Sequence, residues 1–406
     1  MSVDVRTRVD GPREPVEPDR FFADLPDLLD DRSGNLVPGL SWSSPKPLTI
    51  EVDGEAWSMT WTGARVDVHG GVADIGAHVR LTAEQFADLV DDQQTFTGMW
   101  TGGTLDQPRG QIGHLLNWWL VLRAALDDQP IHAPGAITFT DRNGAPLDLR
   151  HTFCADDDPA DLRRFLEQAG FLHIAGLFTE DEMAAISTDM DRAAPTYSQG
   201  DGRSWWAKLD TGDPALVRMQ GFDRHSEGAA ALLADERFRR LATIPGAGHN
   251  RAESKRADNR IEALFKPLGV VEGVSDIPWH KDCSLGRHSY ECCSLTVGIS
   301  VTGADDVSGQ LWAMAGSHRA LMWPMMLQPK IDLPLIPLPT STGDVTLHCS
   351  CTLHMAQPPS ETPRRVMYSG FPLPVEDTPA RREARARLGA VRENAPLEAA
   401  AQGIHA

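Results

Sequence analysis

From about Leu40 the chain alternates apolar and polar residues. LTIEVDGEAWSMTWTG and ARVDVHGGVADIGAHVRL change side at each step between Gly-containing turns, which predicts antiparallel strands of a small sheet. The period then lengthens. Thr82 and Gln85 make a capping box before a short helix carrying Phe86, Leu89 and Val90. A second helix is predicted from Gln111 to about Leu126; Ile112, Leu115, Leu116, Trp118, Trp119 and Val121 cover nearly every side, so it must be buried or line an apolar cavity. At roughly 24 Å, and interrupted by Asn117 and Arg123, it is too short to span a bilayer. Residues 1–30, rich in Pro, Asp and Arg, read as a loose arm with FFADLPDLL as one short docked piece.

Further along, AITFTDRNGAPLDLRHTF predicts a hairpin linker over 131–157 that closes on Asn143-Gly144. Asp156-Asp157-Asp158-Pro159 then supplies an N-cap and a first-turn proline for the helix ADLRRFLEQAG, which ends at Gly170. FLHIAGLF reads as a strand, and Thr179 with Glu182 caps the next helix. The expected plan is a small α+β domain over 31–130, a second domain over 158–373 and an exposed, Ala-rich, partly helical tail over 374–406. Strands, a helix capped at Thr82 and an apolar closing helix, with phrases such as VRLTAEQFADLV, resemble the sterol-carrier-type lipid-binding fold over about 40–130.

Composition narrows the function classes. A formal charge of −19, spread along 406 residues, disfavours nucleic acid and anionic membrane surfaces. MSVDVRTRVDGPREP has no apolar core of a secretory signal, and no stretch approaches twenty uncharged apolar residues, so a cytoplasmic protein without stable membrane insertion is expected. In that compartment the six cysteines are expected to be thiols. The pattern leaves the oligomeric state open.

Candidate chemistry sits in SDIPWHKDCSL. A non-haem iron centre needs two imidazoles and a carboxylate on one side of the metal, and His280 with Asp282 would supply two of these from one face of a strand. His225-Ser226-Glu227 has the same spacing but is expected to open a helix, where i and i+2 diverge. The third ligand is sought in GDVTLHCSCTLHMAQ. Read as one strand, it puts His348 and His354 about 20 Å apart, so only one of them can share the metal. Arg364 and Arg365 open a last strand, RRVMYSGF, and a guanidinium there could clamp a carboxylate in two parallel hydrogen bonds. Trp205 and Trp206, in SQGDGRSWWAKLDTG, are expected in a Gly-rich loop that could wall an apolar substrate pocket.

PWHKD, then SLTVGISVTGADDVSGQLWAMAGSHR, then Gly343-Asp344 with His354 ten residues on, then PRR, resembles the phytanoyl-CoA dioxygenase family of Fe(II)/2-oxoglutarate oxygenases over about 162–371. The resemblance implies a double-stranded β-helix, a jelly roll with flanking helices, and hence an α+β, mainly β chain behind the small first domain. It also implies iron held by His280, Asp282 and His354, 2-oxoglutarate held by Arg364 or Arg365 with Arg364 preferred, and dioxygen as co-substrate. Retention of Asp282, where halogenating relatives carry a small residue, favours hydroxylation of an unactivated C–H bond with release of succinate and carbon dioxide; desaturation or cyclisation is the alternative outcome. A lipid-holding first domain would make the small-molecule substrate lipophilic. The opposing class is a lipid carrier with an inactive jelly roll.

Overall fold

The computed structural model describes residues 15–92, 94–101, 103–249, 260–273, 275–277, 279–282, 294–322, 331–373, 379 and 382. The first sheet is built from β1 (Leu48–Val52), β2 (Glu55–Trp61), β3 (Val66–Gly70), β4 (Ala77–Leu81) and β5 (Asp106–Arg109), in the order β3-β2-β1-β4-β5. Only β1 and β4 run parallel. Strand alternation puts Leu48, Ile50 and Val52 on the face of Ala77, Val79 and Leu81, and helices cover that face.

These helices are α1 (Pro18–Asp31), α2 (Ser33–Ser43), α3 (Ala83–Val90), α4 (Phe96–Thr101) and α5 (Ile112–Asp127). The capping box at Thr82 forms as expected, and such a cap is worth about 1 kcal/mol. α5 is buried along its length, Trp118 and Trp119 included, as its all-round apolar pattern requires. Its Arg123 is also buried and pairs with Asp92 and Asp127. The docked piece expected at FFADLPDLL forms and is part of the longer α1, so the loose arm does not extend over 18–31. α1 buries Phe22, Leu25 and Leu29 in this core, and Phe22 stacks on Trp57 at 4.6 Å.

The second half comprises β6 (Phe153–Cys154), α6 (Pro159–Ala169), β7 (Phe171–Ala175), α7 (Glu180–Ala193), β8 (Ser204–Leu209), β9 (Pro214–Met219), α8 (Glu227–Ala234), α9 (Glu236–Leu241), β10 (Glu262–Lys266) and β11 (Val270–Glu272). It continues with β12 (Ser294–Ser300), β13 (Leu311–Met314), β14 (Leu335–Leu338), β15 (Val345–Cys349), β16 (His354–Ala356) and β17 (Arg364–Pro372). A nine-stranded sheet, β11-β8-β9-β10-β17-β12-β15-β7-β6, and a three-stranded one, β14-β13-β16, make a jelly roll with flanking helices. One face of the large sheet carries Leu295, Val297, Leu347 and Met367 into the core against α6 and α7. The other carries Thr296, Thr346, His348, Arg364 and Tyr368. This polar face holds the candidate chemistry.

Between the halves, the expected hairpin at Asn143-Gly144 is a tight turn with one bridged pair, Thr140 and Pro146. The linker does more than connect. Ile131 bridges Leu321, which is itself buried in the first core; His132 Nε2 lies 2.8 Å from Asp332 Oδ1; and Ile137 and Phe139 pack with Met322, Leu353 and Trp279. A chain beginning at residue 158 is therefore expected to expose Leu321 and Met322, bind a hydrophobic dye and unfold without a sharp transition. A monomeric fragment with a cooperative melt would contradict this. Most of the 374–406 tail lies outside the described residues.

Candidate metal centre

His280 and His354 face each other as a backbone-bonded pair: each N–H donates to the other's carbonyl at 3.0 Å. This close antiparallel register puts both imidazoles on one side, with ring centres 4.2 Å apart. His354 Nδ1–H donates to Thr352 O at 2.9 Å, which leaves the Nε2 lone pair free to face inward. The strand expected at His280-x-Asp282 is reduced to that single bridge, and Asp282 already lies in a turn. Its carboxylate still meets the imidazoles: Oδ1 is 3.4 Å from His280 Nε2 and 3.6 Å from His354 Nε2. The three residues offer ligand atoms within 4.8 Å of one another, and no other such group of His, Cys, Asp or Glu occurs among the described residues.

Electrostatics suit a divalent cation. Burial opposes the charge of Asp282, but His354, His280 and His348 around it hold its carboxyl well below the usual range. Burial, reinforced by His280 and His348, pushes His354 well below the ordinary imidazole value. Between the two candidate ligands, Lys281 is buried and donates to Ser317 O at 2.9 Å and to Ala320 O at 3.3 Å. It ties this segment to the Gly316–Arg319 turn.

The expected distance between His348 and His354 is wrong. GDVTLHCSCTLHMAQ is not one strand: β15 stops at Cys349 and the chain turns through 350–353, where Thr352 Oγ1 donates to Gly170 O and Leu353 N donates to Ser317 Oγ. β16 then starts in the other sheet, so the rings of His348 and His354 are 4.2 Å apart rather than about 20 Å. The Gly343-Asp344 start of β15 is fixed more simply. Gly343 adopts φ +86°, and a Cβ there would collide with Phe178 O. Asp344 accepts from His173 Nε2, Gly176 N and Ser341 N.

Arg364 and Arg365 point opposite ways, as neighbours on a strand must. Arg365 reaches outward to both carboxylate oxygens of Asp191 and to Ser187. Arg364 is buried, and its Nε and Nη2 find no hydrogen-bond partner among the described residues. Directly across from it, Lys266 donates to Ser275 O and to Asp276 Oδ1 at 2.9 Å. Burial, helped by Arg364 and Arg218 and resisted by Asp276, pushes this ammonium down to about 8. Tyr368, raised by burial, shares the face and keeps its phenolic proton. An orphaned guanidinium beside a second cation can accept a carboxylate.

Trp205 and Trp206 lie in β8, not in a loop; Gly200 and Gly202 precede the strand rather than interrupt it. Trp205 covers the Arg218 guanidinium at 4.0 Å, and the register from Arg218 through Leu264 to Val366 gives Trp205 the same sheet face as Arg364. Trp206 Nε1 instead donates to Ser204 Oγ. His225 is not helical as expected: it precedes Ser226, the N-cap of α8, and its ring lies 5.3 Å from Tyr197. Among residues that sequence reasoning did not place here, Thr296 donates to Asp282 Oδ2 at 2.8 Å. Its alternation with Leu295 and Val297 was the available signal.

A family model described as phytanoyl-CoA dioxygenase matches residues 166–366, a span that contains His280, Asp282, His354, Arg364 and Arg365. AviO1 from Streptomyces viridochromogenes Tue57 is 21% identical over 54% of this chain and 97% of its own, with a TM-score of 0.42. The epimerase SnoN from nogalamycin biosynthesis, solved with Fe3+, α-ketoglutarate and nogalamycin RO, is 18% identical over 53% of this chain and 84% of its own, with a TM-score of 0.41. HygX from Streptomyces hygroscopicus, solved with nickel and 2-oxoglutarate, is 17% identical over 51% and 84%, with a TM-score of 0.36. No curated protein matches the chain.

Proposed function

Residues 166–366 belong to the phytanoyl-CoA dioxygenase family of Fe(II)/2-oxoglutarate-dependent oxygenases, and from that premise we propose that the chain hydroxylates an unactivated C–H bond of a small, lipophilic molecule in the cytoplasm. Iron, 2-oxoglutarate and dioxygen are its cofactor and co-substrates. His280, Asp282 and His354 are the proposed metal ligands, and Arg364 the proposed partner of the co-substrate's remote carboxylate. One observation carries this assignment: Asp282 Oδ1 lies between two inward-facing imidazole nitrogens, on the polar side of a sheet that also holds an unpartnered, buried guanidinium.

Bound iron with 2-oxoglutarate and dioxygen supplies the oxidising chemistry; the chain's own residues position and protect it. Thr352 O holds the tautomer of His354, Thr296 holds one oxygen of Asp282 so that the other faces the imidazoles, and Lys281 fixes the segment between them. Trp205 and Trp206 are the proposed substrate contacts, with Trp205 the stronger because it shares the face of Arg364.

Lys266 makes this site pH-dependent. Its ammonium is charged below about 8 and neutral above, so 2-oxoglutarate is expected to bind more weakly as the pH rises through that value. A binding titration between pH 7 and 9.5 checks this, since the decline should flatten in Lys266→Met.

We assign residues 18–130 to a sterol-carrier-like domain, 131–157 to the linker and 158–373 to the oxygenase. The lipophilic substrate follows from that assignment; beside α1 the domain has an open groove of about 510 Å³ lined by Val16, Phe21, Leu25, Leu28, Val90 and Leu126 together with Glu17, Arg20 and Asp24. The test is succinate release from pools of small molecules, with lipophilic and hydrophilic pools kept apart. Stimulation by lipophilic pools supports the reading; stimulation confined to hydrophilic pools refutes the substrate class, and none from any pool refutes turnover.

A further inference from the structure

His348 is an imidazole that the metal reading does not use. It is 1% exposed, and neither ring nitrogen has a hydrogen-bond partner among the described residues. Burying such a group unsatisfied costs about 1–3 kcal/mol, so a nearby acceptor has to explain its presence. The acceptor facing it is Asp282 Oδ2, 3.6 Å from Nε2. Its partner directly across the β12–β15 ladder is Thr296, whose hydroxyl already donates to that same oxygen at 2.8 Å. Two opposed residues on one sheet face thus converge on one carboxylate oxygen, while the other oxygen faces His280 and His354. The group whose ligand atoms all lie within 4.8 Å of one another is His280, Asp282 and His354, and His348 is not part of it.

We propose that His348 is a positioning residue: with Thr296 it holds Asp282 Oδ2 and thereby fixes Asp282 as a one-oxygen ligand that leaves the rest of the metal's face open. The inference rests on the metal assignment above. Its requirement is a shift of less than about an ångström that brings the Nε2–H of His348 into hydrogen-bond range. Loss of such an outer partner weakens metal binding about 10–100-fold.

The test uses Co(II) and the full chain. His348→Phe is expected to bind Co(II) about 10–100-fold more weakly with an altered visible spectrum, and His348→Gln, which restores a donor, to recover most of both. Wild-type protein loaded with Co(II) should show two strongly shifted exchangeable imidazole protons by NMR, a readout that needs no variant to fold. Three such protons would make His348 a ligand and overturn the proposal, as would unchanged affinity and spectrum in a folded His348→Phe. Wild type that binds Co(II) no better than Asp282→Ala would instead overturn the metal assignment itself.

Discussion

Asp282→Ala is expected to lower the rate of substrate-dependent succinate formation by at least about a thousandfold while leaving the fold intact. The metal contributes several kcal/mol of transition-state stabilisation, and each 1.36 kcal/mol is a factor of ten. Asp282 lies outside the main core, and its partners are Thr296 and the three imidazoles. Asp344→Asn is the informative contrast. Asp344 ties β15 to β7 through His173 and Gly176, so its loss should lower the melting temperature more than it lowers the rate per folded molecule. Equal rates in wild type and Asp282→Ala, at saturating iron and co-substrate, would be incompatible with the assignment.

The second large effect separates two adjacent arginines. Arg364→Met should weaken 2-oxoglutarate binding by about 30-fold to several thousandfold, the 2–5 kcal/mol typical of removing one partner of a buried charge pair. Arg365→Met should leave binding within about threefold, because a partly exposed ion pair such as that with Asp191 contributes at most about 1 kcal/mol, and to stability rather than to co-substrate binding. Calorimetry with each variant decides it. A larger loss in Arg365→Met would reverse the assignment.

Much of this organisation is legible in local residue chemistry. The capping boxes at Thr82 and Thr179 are set by neighbours within a few residues, and they, like the strand RRVMYSGF, form where the pattern places them. The misplaced features depend on distant chain. Nothing in Ser350-Cys351-Thr352-Leu353 marks a turn by Gly or Pro; the turn exists because Gly170 and Ser317 bond it, and it brings His348 beside His354. Helix α1 was legible only as a docked fragment, since the core that orders it is completed by Trp57 and Phe86. The Trp205-Trp206 strand was obscured by the glycines before it, although pairing with β9 gives it a regular ladder apart from one bulge. For the linker, the grip of His132 on Asp332 spans 200 positions and leaves no local trace.

The most direct test of the central claim is an anaerobic optical titration with Fe(II) and 2-oxoglutarate. The assignment predicts a visible charge-transfer band at one iron per chain in the wild type. It should be absent in His280→Ala, Asp282→Ala and His354→Ala, and should require far more 2-oxoglutarate in Arg364→Met. A wild type without the band, or a band of full intensity in any of the three alanine variants, would contradict it.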